Sequence, residues 1–307
     1  MPPKPPRRDG PGRSGGPERP AGPGRQTRGG DRPTRGPREG QRPGGPRDGD
    51  RPGGQRRGPE RSRSERPAPD QLWLFGEHAV LAAIRNQRRT CHQLLASEEG
   101  MPRISEAAAR RGLHVTPCPN PEIAKRLPRG AVHQGLALHV APLPQLQLER
   151  VIAIQPEKSL LLALDQVTDP RNFGAILRSA VAMGVNAVIV PERRSAELSG
   201  TAAKAASGAL DLVPIVEVVN LSRALARLKE ADFRISGLDA DGEVTIDAAP
   251  PAARRVLVVG SEGSGMRRLV GEHCDEILSI PIDRRIDSLN VSVATSLALW
   301  SLTRAGR

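Results

Sequence analysis

An α/β protein with a mainly parallel sheet, preceded by a smaller α/β unit and a disordered basic arm, is the fold class this sequence predicts. Three observations carry it. The first 70 residues hold almost no apolar side chains, apolar periodicity begins abruptly at Leu72, and from Ser159 onward strand-like and helix-like segments alternate.

Residues 1–70 contain 16 Pro and 16 Gly, and their only apolar side chains are Met1, Ala21 and Ala68. Such a stretch has nothing to bury against the entropic cost of ordering a chain, so disorder is expected. It carries 18 Lys plus Arg against 9 Asp plus Glu, a net +9 of the whole chain's +12. Repeats such as Arg51-Pro52-Gly53-Gly54 hold guanidinium groups out in water as mobile phosphate contacts, which fits an RNA ligand. A solubilising tail with no specific partner is the alternative. No aromatic residue interrupts the arm to stack on bases, so its contribution should be non-specific and salt-sensitive. It also lacks the apolar core of a signal peptide, and no later stretch reaches the length of a membrane span, so a cytoplasmic protein without membrane contact is expected. Cys91, Cys118 and Cys274 are odd in number and widely separated, favouring reduced, packed thiols over a disulfide framework or a zinc site.

Residues 72–143 read as a small α/β unit. Helix is expected over 76–86, where Val80, Leu81 and Ile84 fall at helical spacing, and again over 104–111; strands are expected at 93–97, 113–116 and 136–140. Nothing in this unit looks catalytic. Residues 144–158 read as a linker. The larger unit, 159–307, begins with an aliphatic strand at 159–164. Helices at 171–183, 202–207, 221–229 and 290–303 then alternate with strands at 187–190, 212–216, 234–238, 256–260 and 277–282. That order implies a parallel sheet covered on both faces, with ligands beyond the carboxyl ends of its strands.

Three segments carry chemistry. The first, Leu164 to Ala180, is a strand end, a polar turn and a helix start, with Asp169 as a cap and Pro170 at the helix entry. Asn172 and Arg178 lie six residues apart, so they do not stack directly, yet both could border a ligand at the helix's opening turns; Arg178 could equally just solvate the helix. The second, Val258-Val259-Gly260-Ser261-Glu262-Gly263-Ser264-Gly265-Met266, is a glycine-rich turn after a buried strand. Its order is neither the dinucleotide fingerprint nor a phosphate loop, and a tight structural turn would also explain it. The third, Ile280 to Ala294, runs from a strand through a charged loop into an apolar helix. Ser288 and Asn290 sit where that helix would be capped.

In this order and at these separations the three segments resemble the SpoU, or TrmH, family of RNA ribose 2′-O-methyltransferases. With the preceding Leu74-Phe75-Gly76-Glu77-His78-Ala79-Val80 and His133-Gln134-Gly135-Leu136, the chain looks most similar to the bacterial members that methylate a guanosine ribose of 23S ribosomal RNA. The resemblance runs from about Leu72 to the C-terminus. It implies a SPOUT-type α/β fold with a C-terminal trefoil knot, S-adenosylmethionine as methyl donor, no metal, a homodimer, and a small RNA-binding domain ahead of the catalytic one. By position, the family's functional residues fall on Asn172, Arg178, Glu262, Ser288 and Asn290. Contacts to the methyl donor fall on Gly260, Ser261, Gly263, Ile280 and Leu289. Ile282 and the pair Arg284-Arg285 depart from the family pattern, in which Met and a small residue are common; the Ser-Leu-Asn-Val-Ser core is intact.

A guanidinium with a pKa above about 12 is a poor base, so Arg178 is expected to grip a phosphate and steady the developing alkoxide while water takes the proton. A transfer-RNA ribose methyltransferase is the competing enzymatic reading, since the catalytic segments do not name the RNA. A non-catalytic RNA-binding or ribosome-assembly factor is the competing class, and binding of S-adenosylmethionine would discriminate against it.

Overall fold

The computed structural model describes residues 72–305, apart from 194, 196–198 and 284. The expectations for the arm, 1–70, and for Arg284 lie outside the described residues.

The first unit forms a four-stranded sheet. Strand β1 (Leu72–Phe75) is followed by α1 (Glu77–Arg85), β2 (Cys91–Ala96), α2 (Met101–Arg111), β3 (Val115–Pro117), α3 (Asn120–Ala124) and β4 (Leu136–Val140). The order is β1-β4-β2-β3, with β4 antiparallel to β1 and β2, and β3 parallel to β2. The period-two alternation of each strand gives the sheet two apolar faces. Leu74, Leu94, Leu136 and Leu138 join Val80 and Ile84 of α1 in the main core, while Phe75, Leu95 and Ala137 meet Ile123 and Leu127 on the other side.

Residues 144–158, read from the sequence as a linker, hold the short helix α4 (Leu148–Ala153). Leu148 and Val151, three apart, bury against the larger sheet; one turn of apolar spacing is too short to stand out as periodicity.

The second unit runs β5 (Ser159–Leu164), α5 (Pro170–Ala182), β6 (Ala187–Pro191), α6 (Gly200–Ala205), β7 (Ile215–Val218), α7 (Leu221–Glu230), β8 (Arg234–Leu238), β9 (Val244–Thr245), β10 (Arg254–Val259), α8 (Arg268–Gly271), β11 (Glu276–Ser279) and α9 (Val291–Ala305). Its strands lie in the order β7-β6-β5-β10-β8-β11-β9, and every neighbouring pair is parallel. Aliphatic residues point both ways from the central strands. Leu162, Leu164, Leu257 and Val259 share a core with α5, α6 and α9, and Leu161, Ala163, Val256 and Val258 share another with α7. Short β9 and α8 were not expected from the sequence, and two boundaries in this unit differ by three residues from the sequence reading, the others by no more than two. The strand expected at 212–216 starts at Ile215, because residues 209–211 form a 3-10 turn ahead of Pro214. The strand expected at 277–282 stops at Ser279, before Pro281.

The two sheets share one continuous core. At their junction Arg89 donates from Nε to Asp211 Oδ1 at 2.8 Å and from Nη2 to Oδ2 at 3.1 Å, and the two side chains are 1% and 2% exposed. Asn86 adds a third donor to Asp211 at 2.9 Å. Lys204 of α6 reaches across to Gln134 Oε1 at 2.6 Å, and burial pulls its ammonium below the usual lysine range. The three cysteines are free and half-buried. Among the described residues no helix is long and apolar enough to cross a membrane.

Candidate active site

In a parallel sheet the ligand crevice lies beyond the carboxyl ends of the strands, where the strand order reverses. Here the reversal falls between β5 and β10. From β5 the chain moves outward to β6 and β7, and then crosses to build β8 to β11 on the other side. Loops leaving β8, β10 and β11 line a cleft of about 620 Å³. Its apolar lining includes Leu238, Val259, Ile280 and Leu289, and its polar lining includes Ser261, Glu262, Ser288 and the carboxylates of Asp239, Asp241 and Asp287.

The glycine-rich segment is both a tight turn and a wall of that cleft. Ser261 N donates to Gly265 O and Gly265 N to Ser261 O, each at 3.0 Å, closing the turn on itself. Gly263 has φ 84° and Gly265 φ 62°, a region that favours glycine. A Cβ on Gly260 would fall inside the backbone of Gly265. The turn does not open straight into a helix: four-residue α8 begins only at Arg268, so the turn presents its own backbone groups to the cleft. It is anchored by Asp165, a fully buried carboxylate at the end of β5. Asp165 accepts from Arg267 N at 2.9 Å and Nε at 2.8 Å, and pairs with Nη2 at 2.6 Å.

At the rim, the three sequence segments meet through their side chains. Asn172 Nδ2 donates to Glu262 Oε2 at 3.2 Å, and Asn290 Nδ2 donates to Asn172 Oδ1 at 3.1 Å and to Glu262 Oε2 at 3.4 Å. Asn172 sits in the first turn of α5, which Asp169 caps by accepting from Arg171 N at 2.7 Å, with Pro170 opening the helix. Asn290 faces two ways. Its Oδ1 accepts from Ser292 N at 3.0 Å at the start of α9, so the capping expected from sequence is present, while its amide nitrogen joins the cluster.

Ser288, Gly260, Ser261, Gly263, Ile280 and Leu289 all line the cleft. Arg178 is not in the cluster: it is exposed on α5, and among the described residues no hydrogen bond or ion pair holds it. Arg285, at the departure from the family pattern, turns back on its own loop and donates from Nε to Oδ1 and from Nη2 to Oδ2 of Asp283, which holds that carboxyl below its usual range. Sequence reasoning missed Asp165, Asp239 and Asp241. Each follows a buried strand's last aliphatic residue directly or within three positions, the signal that would have marked them.

An apolar wall, a self-closed backbone turn and a cluster of amide and carboxylate groups at the carboxyl edge of a parallel sheet define an α/β protein built to hold a small ligand beside a second, polar reactant. The chain belongs to the SpoU rRNA Methylase family, whose description matches residues 159–300, and residues 73–146 match the family described as RNA 2′-O ribose methyltransferase substrate binding. It is 48% identical over 178 residues to the 23S rRNA (guanosine-2′-O-)-methyltransferase RlmB of Escherichia coli, covering 57% of this chain and 73% of that one. It is 36% identical over 255 residues to an uncharacterized tRNA/rRNA methyltransferase of Mycolicibacterium smegmatis, covering 81% of each. The fold matches the SpoU methyltransferase AviRb of Streptomyces viridochromogenes, solved in complex with AdoMet, with a TM-score of 0.65 and 22% identity over 77% of this chain and 91% of that one.

Proposed function

We propose that this chain methylates the ribose 2′-hydroxyl of a guanosine in 23S ribosomal RNA, using S-adenosylmethionine and working in the cytoplasm as a homodimer whose C-terminal segment is knotted. The observation that carries the reading is the mutual bonding of Asn172, Glu262 and Asn290 at the mouth of the cleft. The high identity to RlmB supports the choice of RNA.

The cleft residues fit the donor. Leu238, Ile280 and Leu289 offer an apolar seat for adenine, the backbone of 260–263 offers hydrogen bonds, and Asp239, Asp241 and Asp287 give the lining the negative charge that suits a cation. When bound, the donor supplies a sulfonium methyl already activated toward an oxygen nucleophile, so the protein's work is alignment and relief of the hydroxyl proton. Asn172 and Glu262 orient the ribose and the glycine turn. Ser288 and Asn290 hold the start of α9 against the substrate. Arg178, free of any protein partner among the described residues, grips the adjacent phosphate and stabilises the developing alkoxide, and water accepts the proton. The dimer reading is supported by Val293, Leu297 and Trp300, which are 48%, 44% and 48% exposed and fall at helical spacing along α9.

Labelled methyl from S-adenosylmethionine, offered with in-vitro-transcribed 23S ribosomal RNA and separately with bulk transfer RNA, tests the reaction. Nuclease digestion should yield 2′-O-methylguanosine from ribosomal RNA alone, and sedimentation of the same preparation should give the mass of two chains. Label only in transfer RNA would overturn the substrate. Label in neither, with donor still bound, would leave a protein that only binds RNA.

Gly260→Ala tests the turn. The added methyl must displace the 261–265 loop while leaving β10 in place, so affinity for S-adenosylmethionine by calorimetry should fall at least tenfold, about 1.4 kcal/mol or more. Unchanged affinity would mean that the closed turn does not shape the donor site.

A further inference from the structure

The outer face of the four-stranded sheet is only half covered. Ile123 and Leu127 lie over Phe75, Leu95 and Ala137, but at the other end of the same face Trp73 and His139 stay partly open and His92 is exposed. Trp73 and His139 stand directly opposite each other on β1 and β4. Their rings stack with centroids 5.1 Å apart and planes 23° apart, and His92 adds a tilted ring 5.0 Å from His139. The pairing register of β2 against β4 slips between Cys91 and Gln93, so His92 is the extra residue of a bulge, a device that re-aims a side chain out of the pleat. The Arg126 guanidinium lies 5.6 Å from the Trp73 ring centroid, and Lys125 and Arg129 are exposed on the same segment.

We infer that Trp73, His139, His92 and Arg126 form a platform on which an unpaired base of the RNA substrate stacks; this rests on the RNA methyltransferase reading above. The chemistry is specific to nucleic acid in two respects. The rings already lie one against the next from Trp73 to the exposed His92, so a base can extend the stack, and the Arg126 guanidinium over Trp73 supplies a cation for the backbone; Lys125, paired with Glu122, and Arg129 are exposed on the same segment. The chain has two tryptophans and no tyrosine, and one of those tryptophans is spent on this sheet surface. The platform is also joined to the catalytic unit. The Trp73 carbonyl abuts Gly200 so closely that a Cβ there would collide with it, and α6, which begins at Gly200, lies against α5, the helix that carries Asn172 and Arg178. A base held on the platform thus fixes the RNA relative to the cleft through directly packed elements.

The test uses the full chain and a transcribed 23S ribosomal RNA fragment, at raised salt so that the basic arm is screened. The double variant His92→Ala, Arg126→Ala alters exposed side chains only. It should weaken RNA binding roughly 5- to 150-fold, the loss of about one stacked base at on the order of 1–3 kcal/mol, with affinity for S-adenosylmethionine and kcat at saturating RNA unchanged. In a second measurement, RNA should quench tryptophan fluorescence of the parent chain, and Trp73→Phe, which keeps a flat ring, should remove the quenching while retaining RNA binding. RNA affinity within twofold of the parent, or quenching that survives Trp73→Phe, would overturn the platform. Quenching without methylation of the fragment would instead overturn the methyl-transfer reading and leave the platform standing.

Discussion

Arg178→Ala is expected to lower kcat for RNA methylation by roughly 10²–10³-fold, the usual consequence of removing one group that stabilises developing negative charge. Thermal unfolding and affinity for S-adenosylmethionine should not move, because the side chain is exposed, holds no partner among the described residues and does not line the cleft. Few positions separate chemistry from folding so cleanly. Arg178→Lys keeps the charge but loses the planar fork, and it should recover only part of the rate. Full turnover by the lysine variant would defeat the clamp and reduce the group to a point charge. Full turnover by the alanine variant would remove Arg178 from the mechanism.

The largest effect on stability is expected at Arg89→Met. The guanidinium supplies two of the three donors that hold the Asp211 carboxylate, and both side chains lie at the junction of the two sheets almost completely out of water. Breaking such a pair from one side leaves a buried charge uncompensated and costs on the order of 3–5 kcal/mol. Urea unfolding of the variant should show that loss in the midpoint. Adding Asp211→Leu should restore most of it, since two apolar side chains of similar volume often replace a buried pair at little net change. A double variant as unstable as the single one would show that the pair also contributes packing or alignment that charge bookkeeping omits.

The longer strands and helices of the catalytic unit were legible because aliphatic runs such as Leu160 to Leu164 and Val256 to Val259 leave few alternatives, and capping signals at Asp169 and Asn290 sit where the structure uses them, whereas β9 and α8, of two and four residues, are too short to show a period. The insertion of β10 between β5 and β8 was not legible. Periodicity reports which residues face a core, and it is silent on which strand lies beside which. The cluster at the rim shows the same division. Asn172, Glu262 and Asn290 were named through the resemblance, while spacing alone left Asn290 as a helix cap. The structure shows it as a cap whose amide nitrogen is also spoken for. Helix α4 was missed because one buried turn gives too little period to read. Asp165 was passed over because its role depends on Arg267, 102 residues away.

That strand order bears on how competence is acquired. The groups that meet at the rim are 90 and 118 residues apart along the chain, and β10 must slot between two strands that precede it before the glycine turn can face Asn172. Long-range pairings of this kind close large loops before any contact rewards them, so they form late and slowly. A chain halted before Arg254 would hold β5 and β8 with no strand between them and would have no glycine turn to bring to Asn172. Assembly of the rim cluster therefore waits for β10 to enter between β5 and β8 and for the start of α9, capped by Asn290, to follow it.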